Sequence, residues 1–340
     1  MRVLIFEHLC GGGARGESLA GDTPSSGLAM WRALVDDFQA AGHEVVTTLD
    51  ERLTDRAGDA ETIIVHRREG LEDRLRQLAD RVDAVVVIAP ENRGILLSWY
   101  EALSQAPCRW LGCGRQAIEL CADKYALARH WREHHVPTPP TFLVSACSSM
   151  KYMDEDASSR WVIKPRFGMG CEATRIQNSP LLSERSEDHE PMIAQPYMEG
   201  LAASVALIVH DEQARTLLPG RQLIERAERL VYTGGQVPLR DDWSRRAMTI
   251  ARRAIEGIPG LHGYIGVDLV LGKDASQDRA IEINPRLTMS YIALRRLCKT
   301  NLATAMLDSC APLTWREQRL HFDAAGRVEG IAPEAVSAQP

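Results

Sequence analysis

Two acids and an amide lie close together in the last third of this 340-residue chain: Asp268, Glu282 and Asn284, with Arg286 just beyond. Val267, Leu269 and Leu271 alternate with Asp268 and Val270, and Gly272, Lys273 and Asp274 break the run. Arg279 to Asn284 then climbs back, so the pattern predicts a β-hairpin. Residues two apart on a strand leave the same face. Glu282 and Asn284 therefore share a face, and Asp268 can meet them from the neighbouring strand. Two carboxylates and an amide oxygen make a hard, incomplete oxygen shell, which suits Mg²⁺ completing its octahedron from phosphates and water. The plainer reading makes both acids solvated strand residues and Pro285 an ordinary terminator. Against it, the acids interrupt strands that are otherwise apolar, where an unpaired charge is costly.

Lys164 closes an apolar run from Trp161, and Arg166, Gly168 and Gly170 follow at once. A glycine-rich turn after a strand-borne lysine can hold phosphates, with backbone N–H groups and a point charge. Taken alone, an ordinary hairpin turn explains it equally well. Lys124, in Asp123-Lys124-Tyr125, falls inside a helical pattern running from Gln116 to His134, where a lone lysine is usually just a solvated charge. Met192 to Gln195 is a further strand. Its exit, Pro196 to Gly200, is a connection whose backbone groups could meet a nucleobase edge. Ser179 to Glu190 is polar and expected to be a loop.

The elements that must position these groups alternate regularly. Val3 to Phe6, His43 to Leu49, Thr62 to Val65, Ala84 to Ala89 and Trp110 to Gly112 read as strands. A helix is expected from Ser25 or Ser26, with Leu28, Trp31, Leu34, Val35 and Phe38 on one face. Leu71, Leu75 and Leu78 mark a second helix and Ile95 to Leu103 a third. The alternation predicts a small α/β domain over residues 1–113, with Pro90, Glu91 and Asn92 at a strand's C-terminal end, where ligands sit in open α/β sheets. Gly11, Gly13 and Gly16 have the spacing of a dinucleotide fingerprint, but no helix opens directly on them. The acid expected about twenty residues on falls at Asp36 or Asp37, inside a helix. A flexible loop over a substrate site is the expectation instead. Pro137, Pro139 and Pro140 enforce an extended linker. Farther on, Ala203 to Val209 and the segments at Gly220 to Glu225 and Tyr232 to Gly235 read as strands, Trp243 to Ile255 as a helix, and Tyr291 to Leu307 as one closing helix. From Ala325 a frayed tail is expected.

Hydrophobic residues are 45% and charged residues 25%, as in an ordinary globular protein. A net charge of -6 argues against a nucleic-acid partner. No run approaches the ~20 apolar residues of a membrane span, and Glu7 and His8 interrupt any signal-peptide core, so a cytoplasmic location is expected. The eight cysteines show neither Cys-x-x-Cys nor zinc-ligand spacing and read as reduced, mostly buried thiols.

Taken in order, Asp123-Lys124, Lys164 with its glycine loop, Gln195 to Gly200, Asp268, and Glu282-Ile-Asn284-Pro-Arg286 resemble the ATP-grasp superfamily of carboxylate–amine ligases, over residues 1–310. The segments Gly200 to Val205, Gly220 to Ile224, Gly263 to Asp268 and Asn284 to Thr288 are similar to the branch that includes tyramine–glutamate ligation in methanofuran biosynthesis. The resemblance implies an N-terminal Rossmann-like pre-ATP-grasp domain (1–113), a linker helix and lid lobe (114–199), a catalytic lobe (200–324) and a tail (325–340). It implies ATP as co-substrate and one or two Mg²⁺ or Mn²⁺ ions on Asp268, Glu282 and Asn284. Lys124, Lys164, Arg166, Gly168 and Gly170 would contact phosphates and purine, and Gln195, Pro196, Tyr197 and Met198 the adenine. Lys164 and Arg286 would serve the chemistry, Arg286 by steadying an acyl phosphate. Many members carry a ribose-binding Glu where this chain has Ala202, which leaves Glu199 as the candidate for that contact. The implied reaction joins a small-molecule carboxylate to an amine, glutamate with tyramine or tyrosine. Other amino-acid or dipeptide substrates, a non-catalytic nucleotide-binding regulator and a homodimer stay open.

Overall fold

A computed structural model describes residues 1–14, 18–19, 22–66, 70–144, 160–171, 173–180, 191–211, 213–226 and 229–331. Gly16, Glu172, residues 181–190 and the tail beyond Ile331 lie outside them. The N-terminal strands β1 (Arg2–Glu7), β2 (Glu44–Asp50), β3 (Glu61–Val65), β4 (Ala84–Ile88) and β5 (Arg109–Trp110) form a parallel sheet in the order β3-β2-β1-β4-β5. Both faces are covered, so β4 is apolar and buried throughout. Helices α1 (Asp22–Ala40), α2 (Leu71–Ala79) and α3 (Ile95–Leu103) supply the cover. α1 starts before the expected Ser25. Asp37, near its end, is buried and accepts from Tyr291 Oη at 2.6 Å and Arg295 Nε at 2.9 Å. It docks the C-terminal helices and is no cofactor acid.

The triple glycine is not a flexible loop. Leu9–Gly13 forms a single wide helical turn packed on β2, with Thr48 Oγ1 donating to the Gly11 carbonyl at 2.9 Å. Its neighbours, Glu7 and His8, are buried at the end of β1. Glu7 accepts from the Cys10 N–H at 2.6 Å, and a Cβ on Gly27 would come within 2.7 Å of Glu7 Oε1, so only glycine lets α1 pass there. Trp99 Nε1 donates to His8 Nδ1 at 3.1 Å, which fits a neutral imidazole.

These two groups make acid stability a balance. Burial pushes the Glu7 carboxyl up to about 7 and the His8 imidazole down to about 4. The Glu7 contribution is present in acid and fades as pH rises through about 7. The His8 contribution is present above about 6.5 and is lost as pH falls toward about 4. At about 1.4 kcal/mol per pH unit each is worth about 3 kcal/mol, and they oppose each other between pH 4.5 and 6.5. We therefore expect Glu7→Gln to expose the His8 slope, so that urea stability falls steeply from pH 6.5 to 4.5 where the parent changes little. Parallel slopes in the two proteins would contradict this.

Next come α4 (Arg115–Ala122) and α5 (Lys124–Glu133), two helices where the sequence reads as one. Asp123 takes extended geometry between them (φ -99, ψ 95) and its side chain caps α5, accepting from the N–H groups of Tyr125 and Ala126. The small sheet has the order β6-β9-β7-β8, built from β6 (Phe142–Leu143), β7 (Trp161–Pro165), β8 (Arg175–Gln177) and β9 (Met192–Pro196). Its core among the described residues is slight: Trp161, Ile163 and Ala194.

The large sheet runs β15-β14-β10-β12-β13-β16-β17, with β11 beside β10. Its strands are β10 (Leu201–His210), β11 (Gln213–Thr216), β12 (Gly220–Arg226), β13 (Leu230–Val237), β14 (Gly263–Leu271), β15 (Arg279–Asn284), β16 (Leu320–Asp323) and β17 (Val328–Gly330). α6 (Asp241–Ile255) packs on β14 and β10. The expected closing helix is again two, α7 (Tyr291–Leu297) and α8 (Leu302–Leu307), because Asn301 caps the second. Residues 325–330 are not frayed: β17 pairs with β16. The linker into the small sheet is pinned to β15, since Ala280 N–H donates to the Pro137 carbonyl at 2.8 Å and Thr138 Oγ1 donates to the Ala280 carbonyl at 3.0 Å.

Candidate active site

The hairpin β14–β15 forms as the alternation requires, with Asp268 directly opposite Glu282 and Gly266 opposite Asn284. A bulge follows, because Leu269 pairs with Ala280 and Ile281 is left over. Bulges re-aim neighbouring side chains, and here both Ile281 and Glu282 line one cavity of about 180 Å³ between the small and large sheets. Nothing in the hydrophobic pattern announces that bulge.

Asp268 Oδ2 accepts from Asn284 Nδ2 at 3.3 Å, and its Oδ1 accepts from Gln222 Nε2 at 3.0 Å. Gln222 comes from β12 and was missed by sequence reasoning, since its reach to Asp268 across β10 depends on strand order. Burial raises the Asp268 carboxyl well above its ordinary range, and the Glu282 charge adds to this. Burial also works against ionised Glu282, but Lys124 and then Lys164 outweigh it and hold that carboxyl low. Lys124 Nζ lies 3.4 Å from Glu282 Oε2 and donates to the Gly168 carbonyl. Lys164 on β7 is buried, which pushes its ammonium down to about 8 against the pull of Glu282.

Like charges this close, facing two buried ammoniums, make a site short of positive charge on the Asp268 side. Among the described residues no three His, Cys, Asp or Glu side chains gather as a metal cluster. The donor set is two carboxylates and an amide oxygen. That all-oxygen, incomplete set fits Mg²⁺ or Mn²⁺ shared with phosphate, not a closed structural site.

The cavity wall brings together Lys164, Gly170, Gln195, Pro196, Tyr197 and Met198 with Asp268 and Glu282. Ala202 lines it too and presents apolar surface there. Gln195 is buried and donates to Thr141 Oγ1 at 2.8 Å. Tyr232 from β13 is a further wall that the sequence did not single out. Gly170 takes φ 57, which lets the loop turn back toward β8.

Six expected residues do not line this cavity: Lys124, Gly168 and Asn284 join it through the contacts just given, and Glu199, Arg166 and Arg286 sit elsewhere. Glu199 is exposed and pairs with Arg160, which also stacks on the Tyr197 ring at 4.2 Å. It does not line the cavity, so the structure lends the ribose expectation no support. Arg166 does not line the cavity either. It forks onto Asp123, with Nε 2.7 Å from Oδ1, and so fastens the glycine loop to the cap of α5. Arg286 is held by Glu91, with Nε donating to Oε2 at 2.7 Å, and it touches Asn284 Oδ1 at 3.5 Å. Glu91 belongs to the turn after β4, so the parallel sheet's C-terminal edge meets the hairpin here.

Asp123 therefore serves two masters, the α5 N-terminus and Arg166. Asp123→Ala should lower stability by about 1 kcal/mol through the lost cap. It should also raise the KM for nucleotide, because the glycine loop loses its anchor. Thermal melting and steady-state kinetics check the two effects separately, and an unchanged KM would discount the anchor.

Comparisons with known proteins agree with this geometry. The family profile described as an ATP-grasp domain matches residues 121–290, and one described as a pre ATP-grasp 3 domain matches residues 43–118. The chain is similar to the tyramine–L-glutamate ligase of Methanocaldococcus fervens, 26% identical over 298 residues, covering 86% of this chain and 89% of that protein. The Methanocaldococcus jannaschii protein of the same name is 25% identical over 310 residues, covering 90% and 87%. Among solved structures, an ATP-grasp superfamily protein from Archaeoglobus fulgidus superposes with a TM-score of 0.74 at 26% identity, over 95% of this chain and 92% of that one. No described helix is long and apolar enough to cross a membrane.

Proposed function

The chain belongs to the ATP-grasp family, and from that premise we propose that it is an ATP- and Mg²⁺-dependent carboxylate–amine ligase joining glutamate to tyramine or a closely related amine. The observation that carries the reading is one cavity with Asp268 and Glu282 on facing strands and Lys164 opposite them. The relatives named above supply the substrates.

In this reading Gln195 to Met198 receive the adenine, and Lys124, Lys164 and the glycine loop receive the phosphates. Asp268, Glu282 and Asn284 hold the cation, which when bound offsets charge on the transferring phosphoryl group. The substrate carboxylate attacks the γ-phosphorus, ADP leaves, and an acyl phosphate results. The amine then attacks the acyl carbon, phosphate leaves, and the amine's surplus proton passes to solvent or phosphate. Arg286 lies beside the acids, where an acyl phosphate oxygen can accept its N–H. The protein mainly positions reactants and supplies fixed charge, and a closed cavity keeps water from the acyl phosphate.

The test is ADP release with ATP, Mg²⁺, glutamate and a panel of amines, with the product identified by mass spectrometry. A γ- or α-glutamyl amide of tyramine or tyrosine is the expected product. Another amide would move the chain to a different substrate pair, and nucleotide binding without turnover would sink the ligase reading.

A further inference from the structure

We infer that Glu91 is a positioning residue for the reaction: it aims Arg286 at the phosphoryl-transfer site and keeps that guanidinium off the two acids proposed to hold the cation. The inference rests on the ligase reading for Arg286, and it goes beyond that reading by assigning a role to a residue of the parallel-sheet layer.

Arg286 is buried, with a side chain 12% exposed, and the Glu91 side chain is 4% exposed. A guanidinium offers five N–H donors in a fixed plane. Arg286 Nε donates to Glu91 Oε2 at 2.7 Å and Nη2 approaches Oε1 at 3.5 Å, so the carboxylate grips one edge of the fork. Nη1 donates to the Leu287 carbonyl at 3.2 Å and Nη2 reaches Asn284 Oδ1 at 3.5 Å. Two edges are thus fixed, and these bonds use only one of the two Nη1 N–H groups.

Glu91 is itself held firmly. Pro90 precedes it, the Pro90 carbonyl accepts from Leu96 N–H at 2.9 Å, and the short turn Asn92–Gly94 begins on Glu91. Asp268 and Glu282 also act on Arg286, as does buried Glu7 at the end of β1. Without Glu91, a buried cation would be drawn toward these remaining acids, Asp268 and Glu282 at the hairpin among them, since an unpaired buried charge is strongly unfavourable. Arg286 would then compete with a divalent ion and lose its aim. Nothing in this requires Glu91 to touch a substrate.

The experiment is a double-mutant cycle on the full-length protein. Glu91→Gln should lower the kcat of amide formation about 10–100-fold, as loss of a residue that orients a catalytic group does, with the KM for ATP nearly unchanged. Glu91→Asp should recover part of that loss. In an Arg286→Ala background, Glu91→Gln should cost almost nothing further, because the two act as one unit. Equal losses in both backgrounds, or an unaffected kcat in Glu91→Gln, would overturn the inference. A readout independent of turnover is the Arg286 Nε–H resonance, assigned by Arg286→Lys. It should be protected from hydrogen exchange in the parent and in Glu91→Asp. It should lose protection in Glu91→Gln. If Glu91→Gln fails to fold, Glu91→Asp alone decides, and full protection with full kcat loss would count against aiming. A parent that makes no amide while these resonances behave as stated would refute the ligase reading and not the aiming of Arg286.

Discussion

Replacing Glu282 by alanine is expected to reduce amide formation by about 10²–10³-fold or more while leaving the fold intact, the scale of losing one preorganised electrostatic group. Glu282 is the hub of the site. It faces Asp268 across the bulged hairpin, meets Lys124 Nζ at 3.4 Å, and its charge is held by both lysines. Its removal takes one of two carboxylates from the proposed cation shell and unbalances the lysines at once. The fold should survive with reduced stability, because losing one partner of a buried pair leaves Lys124 and Lys164 undercompensated, and relief of the strain on Asp268 offsets only part of that. Turnover, melting temperature and the Mg²⁺ concentration for half-maximal rate should be measured together. Parental turnover at saturating Mg²⁺ would remove this cation site.

Lys164→Ala is expected to weaken ATP binding about 10–100-fold, the worth of one or two charge-assisted hydrogen bonds lost to a phosphate. Lys164→Arg should not rescue it, because a planar fork cannot replace a compact ammonium in a buried slot. Calorimetry with a non-hydrolysable ATP analogue reads both. The pH dependence carries a sign as well. Burial holds this ammonium at about 8, so it is charged below that pH and neutral above it. Nucleotide affinity should therefore decline as pH rises through about 8 in the parent and lose that dependence in Lys164→Ala. Equal affinity for parent and variant would exclude Lys164 as a phosphate contact.

Much of this site was legible because its chemistry violates the local pattern. Asp268 and Glu282 interrupt apolar strands, and Lys164 stands in a buried run, so their types alone demand a partner. The strand alternation of residues 1–113 likewise announces a parallel sheet. What escaped depends on side chains that compete with the backbone or on strand order. Asp123 ends one helix and caps the next, and Asn301 caps the second closing helix three residues after the first has stopped at Cys298, breaks that apolar periodicity alone does not mark. Glu199 was expected at the nucleotide, but Arg160 draws it outward, a pairing 39 residues apart. The grip of Glu91 on Arg286 spans 195 residues and joins two sheets. No window of sequence contains it. The triple glycine misled for a different reason: its spacing fits a loop, while its real demand is room for His8 and Val65 to pack against it.

The stitch between Pro137, Thr138 and Ala280 has a bearing on how this chain can vary. Ala280 stands two positions before Glu282, so the small sheet is hung from the very strand that bears the hub carboxylate. A residue inserted or deleted between His135 and Thr141 could not be absorbed at the surface. It would shift the footing of Glu282 and move Lys164 out of reach in the same stroke.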